Sequence, residues 1–297
     1  MSMGIVTSAA ASGPGREAMG EVTADLTYIV RQDTKPYFLS SALTGGDPEV
    51  FFSTEEVPSC IADMRGIAAG LSIDVHGFEL RTWSAGDIDL YDDDDVAARY
   101  EPGLVEMLKT MTGADAVAIF DHTRRSDRTE GANNPGGVRR PASRVHVDYT
   151  VRSGPQRARD SLGEAEVDRI LASGGRIVQV NVWRPITGPV LRSPLALADA
   201  ASIPASDLVA TDQRFPDRVG EIYQLAHGPG HRWYYAPEMT PDEVILIKGW
   251  DSLDDGRARF TPHGAFVHPG ETPDMPSRES IETRTYLVFE AWQVTDA

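Results

Sequence analysis

From Glu21, EVTADLTYIV alternates apolar and polar residues with the two-residue period of a half-buried strand. Residues 35–56 read as loop with short extended pieces, punctuated by Thr44-Gly45-Gly46, and a pair of strands is expected over residues 73–82. Over residues 93–112 the spacing changes. Val96, Leu104, Met107, Leu108 and Met111 recur at helical intervals and Gly113 closes the run, which predicts a helix with a glycine C-cap. AVAIFDHT, residues 116–123, then predicts a buried strand.

Residues 124–144 carry six arginines around Asn-Asn-Pro-Gly-Gly, with almost nothing apolar. They read either as a solvated surface loop or as a mobile lid over an anionic ligand. Downstream, RVHVDYT, RIVQVNVWRPI, DEVILIKGW, GAFVH and ETRTYLVFEAW are strand-like, and a short helix over residues 164–172 stops at Gly174-Gly175. HGPGHRWYYAP, residues 227–237, reads as an exposed hairpin steadied by Trp233 and Tyr235. Helical signal sits mostly before residue 115 and strands dominate after it. That distribution predicts a mainly β (α+β) fold, a β-sandwich core with helices packed outside. No linker divides the chain, so residues 21–297 form one domain behind a disordered tail, residues 1–20.

Composition narrows the partners. The 28 basic and 45 acidic side chains give a formal net charge of −17, which opposes nucleic acid and anionic membrane surfaces. No apolar run approaches the ~18 residues of a membrane span, and the N-terminus lacks the pattern of a signal peptide. A cytoplasmic location is expected. The single cysteine, Cys60, is expected to be a small buried hydrophobe. The acidic run at residues 92–95 lacks the glycine and final glutamate of a calcium loop, and instead suits a helix N-terminus.

The chemistry concentrates in His146-Val147-Asp148. Residues i and i+2 of a strand project from one face, so both side chains reach one metal. An imidazole and a carboxylate are two-thirds of a facial triad; a second histidine completes it and leaves positions open for a co-substrate and O2. His263 and His268, in FTPHGAFVHP, are the downstream candidates. His76, His122, His227 and His231 match no ligand spacing. In SRESIETRTYLVFEAW, Arg278 and Arg284 share parity, and a guanidinium is what the far carboxylate of 2-oxoglutarate requires. Ser280 stands two residues from Arg278, as a second donor in an Arg-x-Ser arrangement. Gln179, Asn181 and Trp183 share one face of their strand and could wall a pocket with Tyr149, while Arg184 points the other way and reads as structural.

The segments QVNVWRPITGPVLRSPLALADA, HVDYT, KGWDSLDDGRARFTPHGAF and RESIETRTYLVF resemble a family of oxygenases from secondary metabolism. It includes AsaB-like hydroxylase/desaturases, gibberellin desaturase-like proteins and bacterial proteins acting at the 7α position of cephalosporins. The likeness runs from about Thr23 to the C-terminus and is densest over residues 178–200 and 248–289. It implies a double-stranded β-helix (jelly-roll, cupin-like) core with flanking helices, and Fe(II) and 2-oxoglutarate as cofactors with O2 as co-substrate. The family's histidine in Pro-His-Ser-Ala-Phe falls on His263, with Gly264 in place of the serine, leaving His268 as the bystander. The resemblance favours Arg284, just ahead of the apolar run ending in Phe289, as the oxoglutarate anchor, with Arg278 second and Asn181 nearby.

The expected activity is hydroxylation or desaturation of a small metabolite, with a β-lactam as one candidate. Two other readings compete with it. One is a non-oxidative jelly-roll metalloenzyme, an isomerase or hydrolase, which has no need of an inward arginine. The other is an accessory subunit working with a methyltransferase-like partner, a partner the cephamycin branch suggests. A homo-oligomer is compatible with each.

Overall fold

The computed structural model describes residues 20–135 and 137–291. Residues 1–19, nearly all of the expected tail, and residues 292–297 lie outside the described residues. Fifteen strands are formed: β1 (Glu21–Ile29), β2 (Tyr37–Leu39), β3 (Glu49–Val50), β4 (Thr54–Asp63), β5 (Phe78–Thr82), β6 (Ala116–Ser126), β7 (His146–Val147) and β8 (Arg176–Pro185), followed by seven more. These are β9 (Leu195–Ala198), β10 (Leu208–Arg214), β11 (Val219–Leu225), β12 (Trp233–Tyr235), β13 (Glu243–Asp251), β14 (His263–Ala265) and β15 (Glu279–Phe289). They build a ten-stranded sheet in the order β1-β4-β12-β9-β14-β7-β11-β10-β2-β3 and a five-stranded sheet in the order β5-β13-β8-β15-β6. The two curled sheets form the double-stranded β-helix, the jelly-roll core expected from the resemblance.

The five-stranded sheet explains its own sequence. β8 is buried along nearly its whole length, because both of its faces are covered. Val178, Val180 and Val182 pack outward against Leu104, Met107 and Leu108 of the helix Glu101–Thr112. The alternate residues Gln179, Asn181 and Trp183 therefore turn toward the other sheet. That helix ends at Gly113, whose φ of 74° is the left-handed C-cap the spacing predicts. Upstream, Asp92 accepts from the backbone N–H of Asp94 and Asp95, so the acidic run starts a helix.

Several expectations need correction. Residues 73–77 form a turn in which the N–H groups of Val75, His76 and Gly77 all point at the Ser72 carbonyl, leaving one strand, β5, rather than two. β6 is half-buried over most of its length rather than buried, and its second half borders an open cavity. β4 and the helix Ser153–Leu162 have no counterpart in the sequence reading. Strands thus populate both halves of the chain, and two helices follow residue 150. The stretch with Trp233 and Tyr235 is not an exposed hairpin: β12 pairs with β4 on one side and β9 on the other, and both rings are buried. Cys60 is exposed rather than buried, and its thiol lies 3.3 Å from Glu21 Oε2.

Below the five-stranded sheet, Lys248 is fully buried between Asp74 (2.6 Å) and Asp251 (2.9 Å), and Arg176 bonds both carboxylates. Burial pushes the Asp74 carboxyl up, but hydrogen bonds from Arg176 and Lys248 outweigh it and hold the group down to about 2. The KGWD segment singled out in the sequence therefore serves a structural ion network. Among the described residues no helix is long and apolar enough to cross a membrane.

Candidate metal centre

β7 and β14 are neighbours in the ten-stranded sheet, with His146 directly opposite His263. Their rings stand 4.6 Å apart, centroid to centroid. Asp148 follows immediately after β7, and its Oδ1 lies 3.6 Å from His146 Nε2. One ligand atom from each of His146, Asp148 and His263 falls within 4.8 Å of the others. The strands run close at Gly264: a Cβ there would stand 3.3 Å from the Ser143 carbonyl oxygen and 3.4 Å from Val145, so a small residue suits the position.

The two imidazoles are oriented by the backbone. His146 donates from Nδ1 to the Arg144 carbonyl and His263 from Nδ1 to the Thr261 carbonyl, each at 2.9 Å. Both Nε2 lone pairs are thereby left for a cation, the outer-shell arrangement of a metal-ligating histidine. Burial, with His263 beside it, lowers the His146 pKa to about 3, so the ring is neutral. Burial opposes ionisation of Asp148, but the Arg284 charge, with the hydrogen bond from Asn181, outweighs it and holds the carboxyl well below its usual range. Two imidazoles and one carboxylate on one side of a cation suit Fe(II).

Asp148 is clamped from the facing sheet. Its Oδ2 accepts from Arg284 Nε at 3.0 Å and from Asn181 Nδ2 at 2.8 Å. Gln179 Nε2 in turn bonds Asn181 Oδ1 at 2.6 Å. Arg284 also reaches Asp121 (2.5 Å), Glu282 (2.6 Å) and the Thr123 hydroxyl (2.9 Å). Its charge is therefore matched several times over. Arg278 is different. It is 2% exposed and lies 5.1 Å above the Trp183 ring. Its Nε meets the Ser280 hydroxyl at 3.3 Å and its Nη1 the Ser193 carbonyl at 2.5 Å. No carboxylate pairs with it among the described residues, and burial together with Arg125 lowers its pKa to about 9.

The remaining candidates separate clearly. Tyr149 is buried beside Asp148 and lines the cavity above the ligands. Trp183 packs among Leu195, Leu197 and Ile245 while carrying Arg278 on its face. Arg184 lies on the opposite face, over Trp83 and Tyr100, as its parity requires. His268 sits in a turn, where its Nδ1 accepts from the Gly270 N–H at 3.0 Å, outside the triad. His122 bonds Thr283 and Glu101, and His231 bonds Asp207. The sequence reading did not find Asp121, Thr123 or Glu282. They lie in strand segments where polar residues run consecutively, so no period in the sequence marks them.

A family model described as an oxidoreductase/YMDC permease-like domain matches residues 26–289. The hydroxylase/desaturase efuI of Hormonema carpetanum is 33% identical over 83% of this chain and 88% of its own length. The alpha-ketoglutarate-dependent dioxygenase phiK of a fungal species is 33% identical over 77% of this chain and 83% of its own. Among solved structures, the iron and alpha-ketoglutarate-dependent endoperoxidase NvfI superimposes with a TM-score of 0.78 at 27% identity, covering 91% of this chain and 98% of that one. The chain belongs to the Fe(II)/2-oxoglutarate-dependent hydroxylase/desaturase family of secondary metabolism, a dioxygenase acting on a small molecule.

Proposed function

We propose that His146, Asp148 and His263 hold the Fe(II), and that Arg278 with Ser280 takes the far carboxylate of 2-oxoglutarate. One observation carries the second assignment: Arg278 is a buried guanidinium with no acid partner among the described residues. An isolated buried charge is costly, and a dianionic co-substrate would relieve that cost. Arg284, favoured by the resemblance for this role, already faces Asp148, Asp121 and Glu282. Its part, with Asn181, is to hold Oδ2 of Asp148 and leave Oδ1 for the metal. A non-oxidative metalloenzyme would leave Arg278 without an anion.

When bound, Fe(II) with 2-oxoglutarate and O2 supplies an oxidant able to take hydrogen from an unactivated C–H bond, the co-substrate leaving as succinate and CO2. The residues do the positioning. The backbone carbonyls of Arg144 and Thr261 aim the histidines, and Gln179 braces Asn181 from behind. Trp183 supports the flat face of Arg278 and excludes water from it. Tyr149 borders the space where a substrate C–H bond would lie.

The 21–297 stretch acts as one catalytic domain, in the cytoplasm, where an exposed lone thiol such as Cys60 stays reduced. All candidate ligands and both arginines come from one chain, so a methyltransferase-like partner or a second copy would act on product or assembly. A β-lactam stays a candidate substrate, and hydroxylation or desaturation follows from how the substrate is placed. Anaerobic titration of the protein with Fe(II) and 2-oxoglutarate tests the core assignment. A charge-transfer band saturating at one equivalent of each, and succinate release on admitting O2, are expected; absence of the band refutes it.

A further inference from the structure

The cavity above the metal ligands has a volume of about 1590 Å³, with His146, Asp148, Tyr149 and Arg284 among the residues lining it. Ten of its lining side chains are lysine or arginine and nine are aspartate or glutamate, in a chain of net charge −17. The cleft is thus near charge balance, with one cation in excess, while the chain as a whole is strongly acidic. An anion is therefore opposed less in the cleft than over the rest of the surface.

Most of these cations already have a partner. Lys35 bonds Glu221 at 2.6 Å, Arg124 meets Asp93 at 2.7 Å, and Arg140 meets Asp47 at 3.2 Å. Arg144 lies over Phe38 and Phe52, Arg157 lies over Phe120, and Arg125 donates to the Arg140 carbonyl at 2.8 Å. Arg139 has neither an acid nor a ring. Its side chain has no hydrogen-bond, acid or aromatic partner among the described residues, and its Nη1 is buried without an acceptor; the Arg144 Nε also lacks an acceptor, but that guanidinium is covered by its two rings. Its position is nonetheless built. Ala132 and Arg139 exchange backbone hydrogen bonds of 2.9 and 2.8 Å. The Asn134 amide accepts from the Arg124 N–H at 2.7 Å and donates to its carbonyl at 2.9 Å. The loop therefore presents Arg139 from a braced backbone, facing Arg125 and Arg284, whose charges together with burial lower its pKa.

We propose that Arg139 binds a carboxylate of the primary substrate, and that the substrate is a carboxylic acid on an apolar body. The apolar part has its own lining in Phe38, Phe120, Val138 and Phe215. A planar guanidinium with a buried, unmet N–H favours an anionic acceptor with two oxygens, which a carboxylate supplies, over the single neutral oxygen of an amide. The inference rests on assigning the co-substrate to Arg278, which leaves Arg139 for a second anion.

The test uses the full-length protein loaded with Mn(II) and 2-oxoglutarate and titrated with a matched fluorescent pair, dansylglycine and dansylglycinamide. The acid should bind at least about tenfold tighter than the amide. The preference should vanish in Arg139→Gln and persist in part in Arg139→Lys. The 2-oxoglutarate affinity of Arg139→Gln, read from the Fe(II) charge-transfer band, should stay close to wild type. Equal or undetectable binding of acid and amide overturns the proposal, as does a preference that survives Arg139→Gln. An equal loss of 2-oxoglutarate affinity in that variant would make Arg139 a co-substrate ligand and would also overturn it. Failure of the wild-type protein to form the band would instead refute the co-substrate assignment.

Discussion

Arg284 donates from Nε to Oδ2 of Asp148 at 3.0 Å, so a cation from the five-stranded sheet rests on the outer oxygen of a candidate metal ligand borne by the ten-stranded one. The other oxygen, Oδ1, faces His146. One carboxylate is thus split between two tasks, and the two inward arginines of β15 and its approach should differ sharply in what they lose on truncation. Arg278→Ala should raise the dissociation constant of 2-oxoglutarate by about two to three orders of magnitude, the loss of a buried charge pair of ~3–5 kcal/mol. Arg284→Ala should instead weaken metal binding by about one to two orders, the loss of charged hydrogen bonds of ~1.5–3 kcal/mol. Co-substrate titration by charge-transfer absorbance and metal titration by Mn(II) paramagnetic resonance read the two separately. A reversed ranking returns the anchor to Arg284.

The histidines allow a simpler comparison. His146→Ala, Asp148→Ala and His263→Ala should each abolish turnover and leave less than stoichiometric iron, whereas His268→Ala should keep both. His268 is held in its turn by Gly270 and Glu271 and has no part in the triad. Iron content by elemental analysis after anaerobic loading decides it; loss of iron in His268→Ala alone would exchange the two histidines.

Asn134 ties the arginine loop to β6 through both atoms of its amide. Asn134→Ala should release the loop and raise the rate of tryptic cleavage after Arg139 severalfold, with the far-ultraviolet circular dichroism unchanged. In the wild-type protein, Fe(II), 2-oxoglutarate and an acidic ligand together should slow that cleavage. Equal rates in variant and wild type would show that the amide clasp does not hold the loop.

Acid should weaken the Asp74 network within a defined window. The folded pKa of about 2 lies below the ordinary aspartate value of 3.8, so the pairing contributes fully above about pH 4 and is lost as pH falls toward 2. Asp74→Asn should unfold at lower temperature than wild type at pH 7, and the gap should close between pH 4 and pH 2. A gap that stays constant across that range in thermal melts would mean the ion pairs with Arg176 and Lys248 contribute nothing to stability.

The triad was legible because strand parity is a local property: His146 and Asp148 needed only each other, and the resemblance picked out His263. The arginines were not. Whether a guanidinium is already satisfied depends on Asp121 and Glu282, the one reached across a strand pair and the other two residues along the same strand, and no spacing rule reports that. β12 looked like part of a hairpin because clustered aromatics follow the turn-like His227-Gly228-Pro229-Gly230; its burial comes from pairing beside β4, far away in sequence. β4 was missed because Pro58 and its acidic residues read as loop, and in the sheet Pro58 merely stands opposite Asp25. The helix Ser153–Leu162 was missed because the residues it buries, Gly154 and Ala158, are too small to leave an apolar period.

The clamp on Asp148 also makes the centre a gauge of the gap between the two sheets. His146 and His263 are bonded neighbours within one sheet and travel together, whereas Oδ2 of Asp148 is held from across the interior. If heat or pressure eased the sheets apart by little more than an ångström, the imidazole pair would survive and the carboxylate would swing free. The protein would then pass through a stage in which it still gathers a cation loosely but no longer aims it, going quiet as a catalyst well before its strands come undone.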